Sequence, residues 1–471
     1  MASSATPHAI VIGSGSGGLT AAVGLGRVGR TAVMIEAEHI GGDCTNVGCI
    51  PSKSLLHHSR AGSLTAPDTL AKVRERVDYL RTRETEEFGD APGVDFRRGL
   101  ARIVAPGRVE ITRPDGETEF VEADNIVIAT GSRPRSLTIE GLPDAKVLTN
   151  ESLFELEEPP RHLAIIGGGA IGVEMATAFS RLGSQVTIVE YASRLLPLML
   201  PEAGEICRRS LEEDGVRVVV GSAASSFDPQ TNTLSTTSAH GAAADAPIEE
   251  VDAVLVAVGR IPNSDGLGLE TVGVKTTERG LIEIDERGRT NVSGIWACGD
   301  VTDRGGTTHA AGAWGRRILR SMVAGPLPMP DVPPMPAAVF GDPELASVGD
   351  QPEEVDRAVR RIRIQMSEID RAFTDEVTEG VVIIDVRKFR GTILGATIVG
   401  PRAGELIGTV SLAMKTGIPF HKWYGTVWPY PTYSDALSRA VDTYVAETLP
   451  AIHKEFASYT FAKVKRLLRR G

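Results

Sequence analysis

The run Ala9-Ile10-Val11-Ile12-Gly13-Ser14-Gly15-Ser16-Gly17-Gly18-Leu19-Thr20-Ala21-Ala22 decides the fold. Its first four residues suit a short buried strand, the glycines a turn, and the residues from Leu19 a helix. Thr31 to Ile35 supply a second apolar strand that ends at Glu36. The same logic returns downstream. Leu163-Ala164-Ile165-Ile166 precedes Gly167-Gly168-Gly169-Ala170-Ile171-Gly172, a helix follows through Val173 to Ala176, and a strand Val186 to Val189 ends at Glu190. Both are βαβ units. In each, the first glycine (Gly13, Gly167) permits the tight turn and the second (Gly15, Gly169) lets backbone N–H groups approach a pyrophosphate. The third (Gly18, Gly172) allows helix and strand to pack closely. Glu36 stands as far beyond Gly13 as Glu190 stands beyond Gly167, so each can accept hydrogen bonds from an adenosine ribose. A ligand-free glycine turn explains one such copy more easily than two, and we infer two dinucleotide sites. A carboxylate at Glu190 favours a free 2′-hydroxyl, and Arg194 is the only cation close by in sequence. NAD(H) is therefore expected over NADP(H), which Arg194 keeps open.

The remaining chain fits around these units. A length of 471 residues allows roughly three domains of about 150. Apolar residues make up 42%, enough for a large core, and a net charge of -11 argues against a basic surface for nucleic acid. No stretch approaches the run of about 18 apolar residues that a membrane span requires. The opening Met-Ala-Ser-Ser passes straight into a strand without a signal-like segment, so a cytoplasmic protein is expected. Pro67 to Phe88 carry Leu70, Val73, Val77 and Leu80 at helical spacing. Buried strands are expected over Asn125 to Thr130, ending at Gly131, and over Val251 to Val258, ending at Gly259. Glu157-Glu158-Pro159-Pro160 and the proline-rich run from Gly325 to Pro336 read as hinges. Beyond the second, strands Gly380 to Val386 and Thr392 to Val399 precede a helix near Glu405 to Met414.

Four cysteines are too few for a disulfide scaffold, yet Cys44 and Cys49 stand close together in Gly41-Gly42-Asp43-Cys44-Thr45-Asn46-Val47-Gly48-Cys49-Ile50-Pro51-Ser52-Lys53. On one regular helix they would lie about 7.5 Å apart along the axis, beyond the Cα separation of about 6.8 Å that a disulfide tolerates. A bridge needs an irregular turn, which Asn46 and Gly48 can supply, before a helix that Pro51 suits in its first turn. A helix N-terminus and a nearby Lys would stabilise a thiolate, the reactive form. An inert buried pair and a zinc half-site are the rivals; the latter lacks the usual spacing and a second ligand pair nearby. A redox-active disulfide beside a flavin accounts for more of the pattern.

The segment from Gly41 to Lys53 resembles the flavin-proximal disulfide motif of the class I pyridine nucleotide–disulfide oxidoreductases, the family of dihydrolipoyl dehydrogenase, glutathione reductase and mercuric reductase. The resemblance extends to Ala129-Thr130-Gly131, Val258-Gly259-Arg260-Ile261-Pro262-Asn263, Gly294-Ile295-Trp296-Ala297-Cys298-Gly299-Asp300, and the stretch from Val339 to Gly349. It implies an α/β chain with two Rossmann-like dinucleotide-binding domains and a C-terminal α+β dimerisation domain. The boundaries expected are 1–155 and 271–335 for the FAD-binding parts, 156–270 for NAD and 336–471 for dimerisation. FAD would lie on Gly13, Gly15 and Gly18, with Glu36 at its ribose and Gly42, Thr130, Gly131 and Asp300 along it; Gly259, at the end of the strand Val251 to Val258, would also bind a cofactor. Cys49 would face the flavin C4a and Cys44 would attack the substrate. Lys53 would pair with Glu174 near flavin N5, where a cation favours the anionic reduced ring. The implied protein is a homodimer that binds neither nucleic acid nor membrane, and Cys207 and Cys298 are packing residues.

Two departures narrow the acceptor. Disulfide reductases of this family carry His-Pro-Thr-x-Ser-Glu near the C-terminus, whose His and Glu serve the partner subunit's interchange thiol. This chain has Tyr430-Pro431-Thr432-Tyr433-Ser434-Asp435. A Tyr, with a reference pKa of about 10 against about 6.5 for His, is a poor proton shuttle at neutral pH. His421, His309 and His453 are the substitutes available. A Tyr there resembles mercuric reductase, but the tail from Phe461 to Gly471 lacks that enzyme's vicinal cysteines and is basic, which reads as a solvated helix end. The expected acceptor is a small disulfide, as for a dihydrolipoyl dehydrogenase. A metal ion or a quinone is the alternative, and a non-catalytic flavin redox sensor a further one.

Overall fold

The computed structural model describes residues 6–239, 246–325 and 327–448. They fall into two compact units, the first comprising Met1–Gly167, Ala178–Val189 and Ser222–Val332, the second Gly168–Thr177, Glu190–Gly221 and Pro333–Gly471. The boundary at Val332 lies inside the proline-rich run, whereas Glu157 to Pro160 lies within the first unit. His453 and the basic tail lie outside the described residues.

The first unit is organised by two parallel sheets. One has the order Ile295–Ala297, Asn125–Ile128, Ala9–Ile12, Ala32–Glu36, Val94–Arg98, all parallel. Ala9–Ile12 is buried on both faces, as continuous apolar strands in helix-flanked parallel sheets must be. Its core takes in Leu25 from the helix Ser16–Arg27 and Trp314 and Ile318 from the helix Thr308–Ala324. In the second sheet Gln185–Glu190, His162–Ile166, Ala253–Val256 and Val147–Leu148 run parallel. The strands are shorter than the apolar runs suggest: Asn125 to Thr130 yields Asn125–Ile128, where the chain turns at the C-terminal edge, and Val251 to Val258 yields Ala253–Val256, trimmed at both ends. A short antiparallel ribbon, Ser132–Pro134 with Arg260–Pro262, pairs two segments distant in sequence.

The helix Ala66–Gly89 buries Leu70, Val73 and Val77, and Leu80 is half-buried. Thr65 caps its N-terminus by accepting the Asp68 N–H, a contact that contributes about 1 kcal/mol in typical helices.

The second unit holds a five-stranded antiparallel sheet, in the order Ala337–Val339, Leu345–Gly349, Ile393–Val399, Val381–Arg387, Val359–Gln365. The helix Ala403–Thr416 and helical residues 435–448 cover its apolar core. Asp385, fully buried, receives a two-pronged contact from Arg361 at 2.8 and 2.7 Å. That contact first, and the Asp385 charge after it, raises the Arg361 pKa. None of the helices among the described residues is long and apolar enough to cross a membrane.

Candidate active site

Cys44 and Cys49 sit on different helices. Cys44 belongs to the short helix Gly42–Asn46, and Cys49 opens the helix Cys49–Ala61, with Pro51 in its first turn. Between them the backbone leaves helical geometry, with Val47 at φ -141 and Gly48 at φ -129, ψ -109. A side chain at position 48 would place its Cβ 2.8 Å from the Asp43 carbonyl oxygen and 3.3 Å from the Cys44 Cα. Gly48 therefore lets the second cysteine's helix begin against the first cysteine, which is the irregular turn that the spacing demands. Both cysteines are half-buried, unbridged thiols. They are hydrogen-bonded to one another, and the Thr308 hydroxyl lies 3.4 Å from the Cys49 sulfur.

This arrangement puts Cys49 at the N-terminus of the helix that carries Lys53 and leaves Cys44 in the short helix before it. The hydrogen bond of Cys44 with Cys49 and then burial push its pKa well above the ordinary thiol value, with the Thr308 hydroxyl opposing them. Lys53 is half-buried and its Nζ lies 3.4 Å from the Ser52 hydroxyl. Cys207 and Cys298 are buried as expected, and burial pushes both thiols up to about 12. Cys298 packs so closely on the first glycine loop that a Cβ on Gly17 would meet its sulfur at 2.8 Å.

The first glycine loop has one open position among crowded ones. A Cβ on Gly13 would lie 2.3 Å from the Ala129 carbonyl oxygen, and one on Gly18 would lie 1.9 Å from the Gly13 carbonyl oxygen. At Gly15 nothing lies within 4 Å. That open position, at the N-cap of the helix Ser16–Arg27, fits an approaching pyrophosphate. Glu36 is oriented by Ser14, whose N–H and hydroxyl both donate to its Oε2 at 2.8 Å. Gly42 packs directly on this loop, where a Cβ would come 2.8 Å from the Gly15 Cα. The cysteine segment is thereby brought beside the first nucleotide site. Thr130 and Asn263 exchange hydrogen bonds at 2.7 and 3.0 Å, and the Asn263 N–H donates to the Gly131 carbonyl at 3.0 Å. Asp300 accepts from the Ser132 hydroxyl at 3.1 Å and from the Gly306 N–H at 2.9 Å. These residues fit an FAD-type ligand running from Glu36 past Gly15 towards Asp300.

The second glycine loop repeats the packing. A Cβ on Gly167 would meet the Ala257 carbonyl oxygen at 2.4 Å, whereas Gly169 again faces open space. Gly172 is buried in the helix Ala170–Arg181. Gly259 has φ +109, a conformation that suits glycine. The Glu190 carboxylate accepts from the Gly168 and Ala192 N–H groups at 2.5 and 2.6 Å. Arg194 is committed elsewhere, donating to Glu353 at 2.9 Å and to the Pro197 carbonyl at 3.2 Å. Glu174 is buried and accepts from the Phe340 N–H at 3.0 Å.

At the C-terminal motif, Tyr430 and Asp435 take separate partners. The exposed Tyr430 hydroxyl donates to Asp370 at 2.8 Å, while Asp435 accepts from Arg439 at 2.8 Å. Arg439 also reaches Asp370 at 3.4 Å, which links the two. The hydrogen bond to Asp370 is the main cause that holds the Tyr430 phenol above its usual pKa. His421 lies in the turn Phe420–Trp423 of the same unit, and His309 contacts the Thr307 hydroxyl at 3.0 Å in the first unit. Asp370 escaped the sequence reading because it lies outside the motif and no spacing rule marks it, whereas Arg439, four residues beyond Asp435 on the helical residues 435–448, carries the signal of an i,i+4 pair.

Two parallel-sheet nucleotide sites, a thiol pair packed on the first of them, and a separate antiparallel domain define a flavin-dependent oxidoreductase of the disulfide-reductase type. The comparisons agree. Residues 7–315 match the pyridine nucleotide-disulphide oxidoreductase model and residues 335–441 match its dimerisation domain. The chain belongs to the pyridine nucleotide-disulphide oxidoreductase family, and it uses FAD and a nicotinamide nucleotide accordingly. It is 34% identical over 453 residues to dihydrolipoyl dehydrogenase 3 of Pseudomonas aeruginosa, covering 92% of this chain and 96% of that one. It is 32% identical over 468 residues to dihydrolipoyl dehydrogenase of Geobacillus stearothermophilus, covering 94% and 97%. Among solved structures it resembles a Cu(II) complex of the HOCl-induced flavoprotein disulfide reductase RclA of Escherichia coli, with TM-score 0.84, 29% identity, and 93% and 99% of the two chains covered. LpdA of Mycobacterium tuberculosis is similar at TM-score 0.84 and 28% identity, with 93% and 99% covered.

Proposed function

We propose that the chain takes hydride from NADH and delivers the electrons, through FAD and the Cys44–Cys49 pair, to a small disulfide of the dihydrolipoyl type. The observation that carries this reading is the contact of Gly48 with Asp43 and Cys44, which brings two hydrogen-bonded thiols together beside the open Gly15 position. When bound, FAD supplies the exchange of a hydride with nicotinamide and of an electron pair with the thiol pair. Cys44 is the thiol for the acceptor. Cys49, with the Thr308 hydroxyl against its sulfur, is the thiol on the flavin side. Lys53 keeps the role the family resemblance gives it, a cation that favours the anionic reduced flavin ring. Glu190, together with the engagement of Arg194 by Glu353, favours NADH. We also assign the three-domain division 1–155 with 271–335, 156–270 and 336–471, a homodimer through the last, and a reducing, cytoplasmic setting suited to a working thiol pair.

Tyr430 supports a second reading. A phenol held protonated by Asp370 is a hydrogen-bond donor rather than a proton shuttle, which suits a thiolate-bound metal ion as acceptor. NADH oxidation by the FAD-loaded protein, measured with lipoamide, a soft metal ion and a quinone, separates these cases. Turnover of lipoamide that Cys44→Ser abolishes supports the disulfide reading, and metal-dependent turnover alone supports the second. Equal turnover in the Cys44→Ser/Cys49→Ser protein with quinone, and none with either other acceptor, contradicts both.

A further inference from the structure

We propose that Arg260 is the positioning residue of the thiol pair, a clamp that holds both ends of the segment between the cysteines. The inference rests on the reading of Cys44 and Cys49 as a redox pair. Arg260 is fixed by the ribbon in which it pairs with Pro134. Its guanidinium makes four contacts in one unit of the fold. Nε donates to the Ser132 hydroxyl at 2.7 Å, one terminal nitrogen donates to the Ser132 carbonyl at 2.5 Å and pairs with the Asp43 carboxylate, and the other donates to the Asn150 side-chain oxygen at 3.3 Å. Asn150 passes the hold on, because its amide nitrogen donates to the Val47 carbonyl at 3.1 Å.

Asp43 immediately precedes Cys44, and Val47 immediately precedes the Gly48–Cys49 step. One side chain thus secures the backbone on both sides of the irregular turn. The Ser132 hydroxyl extends the network to Asp300 through a 3.1 Å hydrogen bond, so the thiol turn and the far end of the flavin site share an anchor. Burial raises the Asp43 pKa and the Arg260 charge opposes that rise, as expected for a desolvated pair that depends on its partner. A turn already held closed needs less ordering to form a disulfide, because the loop-closure entropy has been lost beforehand. Without the clamp the two sulfurs separate more freely, and the disulfide is easier to reduce.

The test equilibrates the FAD-loaded protein anaerobically, without nucleotide, in mixtures of oxidised and reduced dithiothreitol. Closure of the pair releases two protons and two electrons from the thiols to the cyclic disulfide of the reagent, which opens to its dithiol. The closed fraction is counted by thiol alkylation and mass spectrometry. We expect Arg260→Met to require about tenfold more oxidised reagent for half-closure, which for two electrons corresponds to about 30 mV. Asn150→Ala and Asp43→Asn shift it by smaller factors in the same direction. The double variant Asp43→Asn/Arg260→Met shifts no further than Arg260→Met alone, since both act through one clamp. If Arg260→Met does not fold, Asn150→Ala and Asp43→Asn carry the test. Unshifted half-closure in variants that retain FAD overturns the clamp. A wild-type protein that closes no disulfide at any ratio overturns the proposed function instead.

Discussion

Replacing two glycines of one motif by the same residue should have opposite consequences. Gly15 has φ -68 and ψ 179, which any residue adopts, and a Cβ there has nothing within 4 Å. Gly15→Ala should therefore leave the apoprotein as stable as wild type, or more stable by about 0.4–1 kcal/mol through the unfolded chain. Yet the added methyl occupies the place where a pyrophosphate must approach the backbone, so FAD affinity should fall at least about a hundredfold, or about 2.7 kcal/mol. Gly18→Ala is the converse case. Its Cβ would stand 1.9 Å from the Gly13 carbonyl oxygen and 3.0 Å from its carbon, both backbone atoms that cannot rotate aside. The helix Ser16–Arg27 must shift away from its strand, at a cost of about 1–3 kcal/mol or more for overpacking. Urea unfolding of the two apoproteins gives the stabilities, and flavin fluorescence quenching on titration gives the affinities. FAD binding by Gly15→Ala at wild-type strength, or wild-type unfolding by Gly18→Ala, would refute the assignment of an open cradle beside a close-packed turn.

Other outcomes follow from single contacts. Glu190→Ser combined with Glu353→Gln removes a carboxylate from the ribose position and frees Arg194, so the NADPH to NADH ratio of kcat/KM should rise at least about tenfold, near 1.4 kcal/mol. An unchanged ratio would contradict the coenzyme assignment. Asp385→Ala strands the Arg361 guanidinium beside a fully buried position and should cost about 3–5 kcal/mol in denaturant unfolding. Tyr433 has its phenol pushed up to about 12, by burial first and then by its hydrogen bond to Asp375. Its folded pKa thus exceeds the unfolded value of about 10, so the stability it contributes is complete below that pH and is lost as pH climbs towards 12. Tyr433→Phe should flatten that part of the stability profile measured by chemical unfolding between pH 9 and 12.

What could be read in the sequence was local. The two glycine turns were legible because each glycine's task is set by neighbours a few residues away, and Glu36 and Glu190 by strand ends that the apolar runs mark. The irregular turn between Cys44 and Cys49 followed from disulfide geometry alone. Side-chain partnerships across the fold were not legible. Asp43 and Arg260 are 217 positions apart, and they meet because the ribbon with Ser132–Pro134 places Arg260 while the packing of Gly42 on Gly15 places the Asp43 segment. Tyr430 and Asp435 occupy the two positions of the family's dyad, and the Tyr430 partner Asp370 lies 60 positions away in sequence. The raised pKa of Cys44 has a related cause, since its hydrogen bond to the other thiol and its burial are both set by the folded turn.

The most direct test of the electron path is an anaerobic titration of the FAD-loaded protein with NADH, followed by visible absorbance and by counting reactive thiols. A working pair beside the flavin predicts a long-wavelength thiolate-to-flavin charge-transfer band and the appearance of two new thiols per chain in wild type. The band should vanish in Cys49→Ser. Bleaching of the flavin with no such band and no change in thiol count would contradict the role of Cys44 and Cys49.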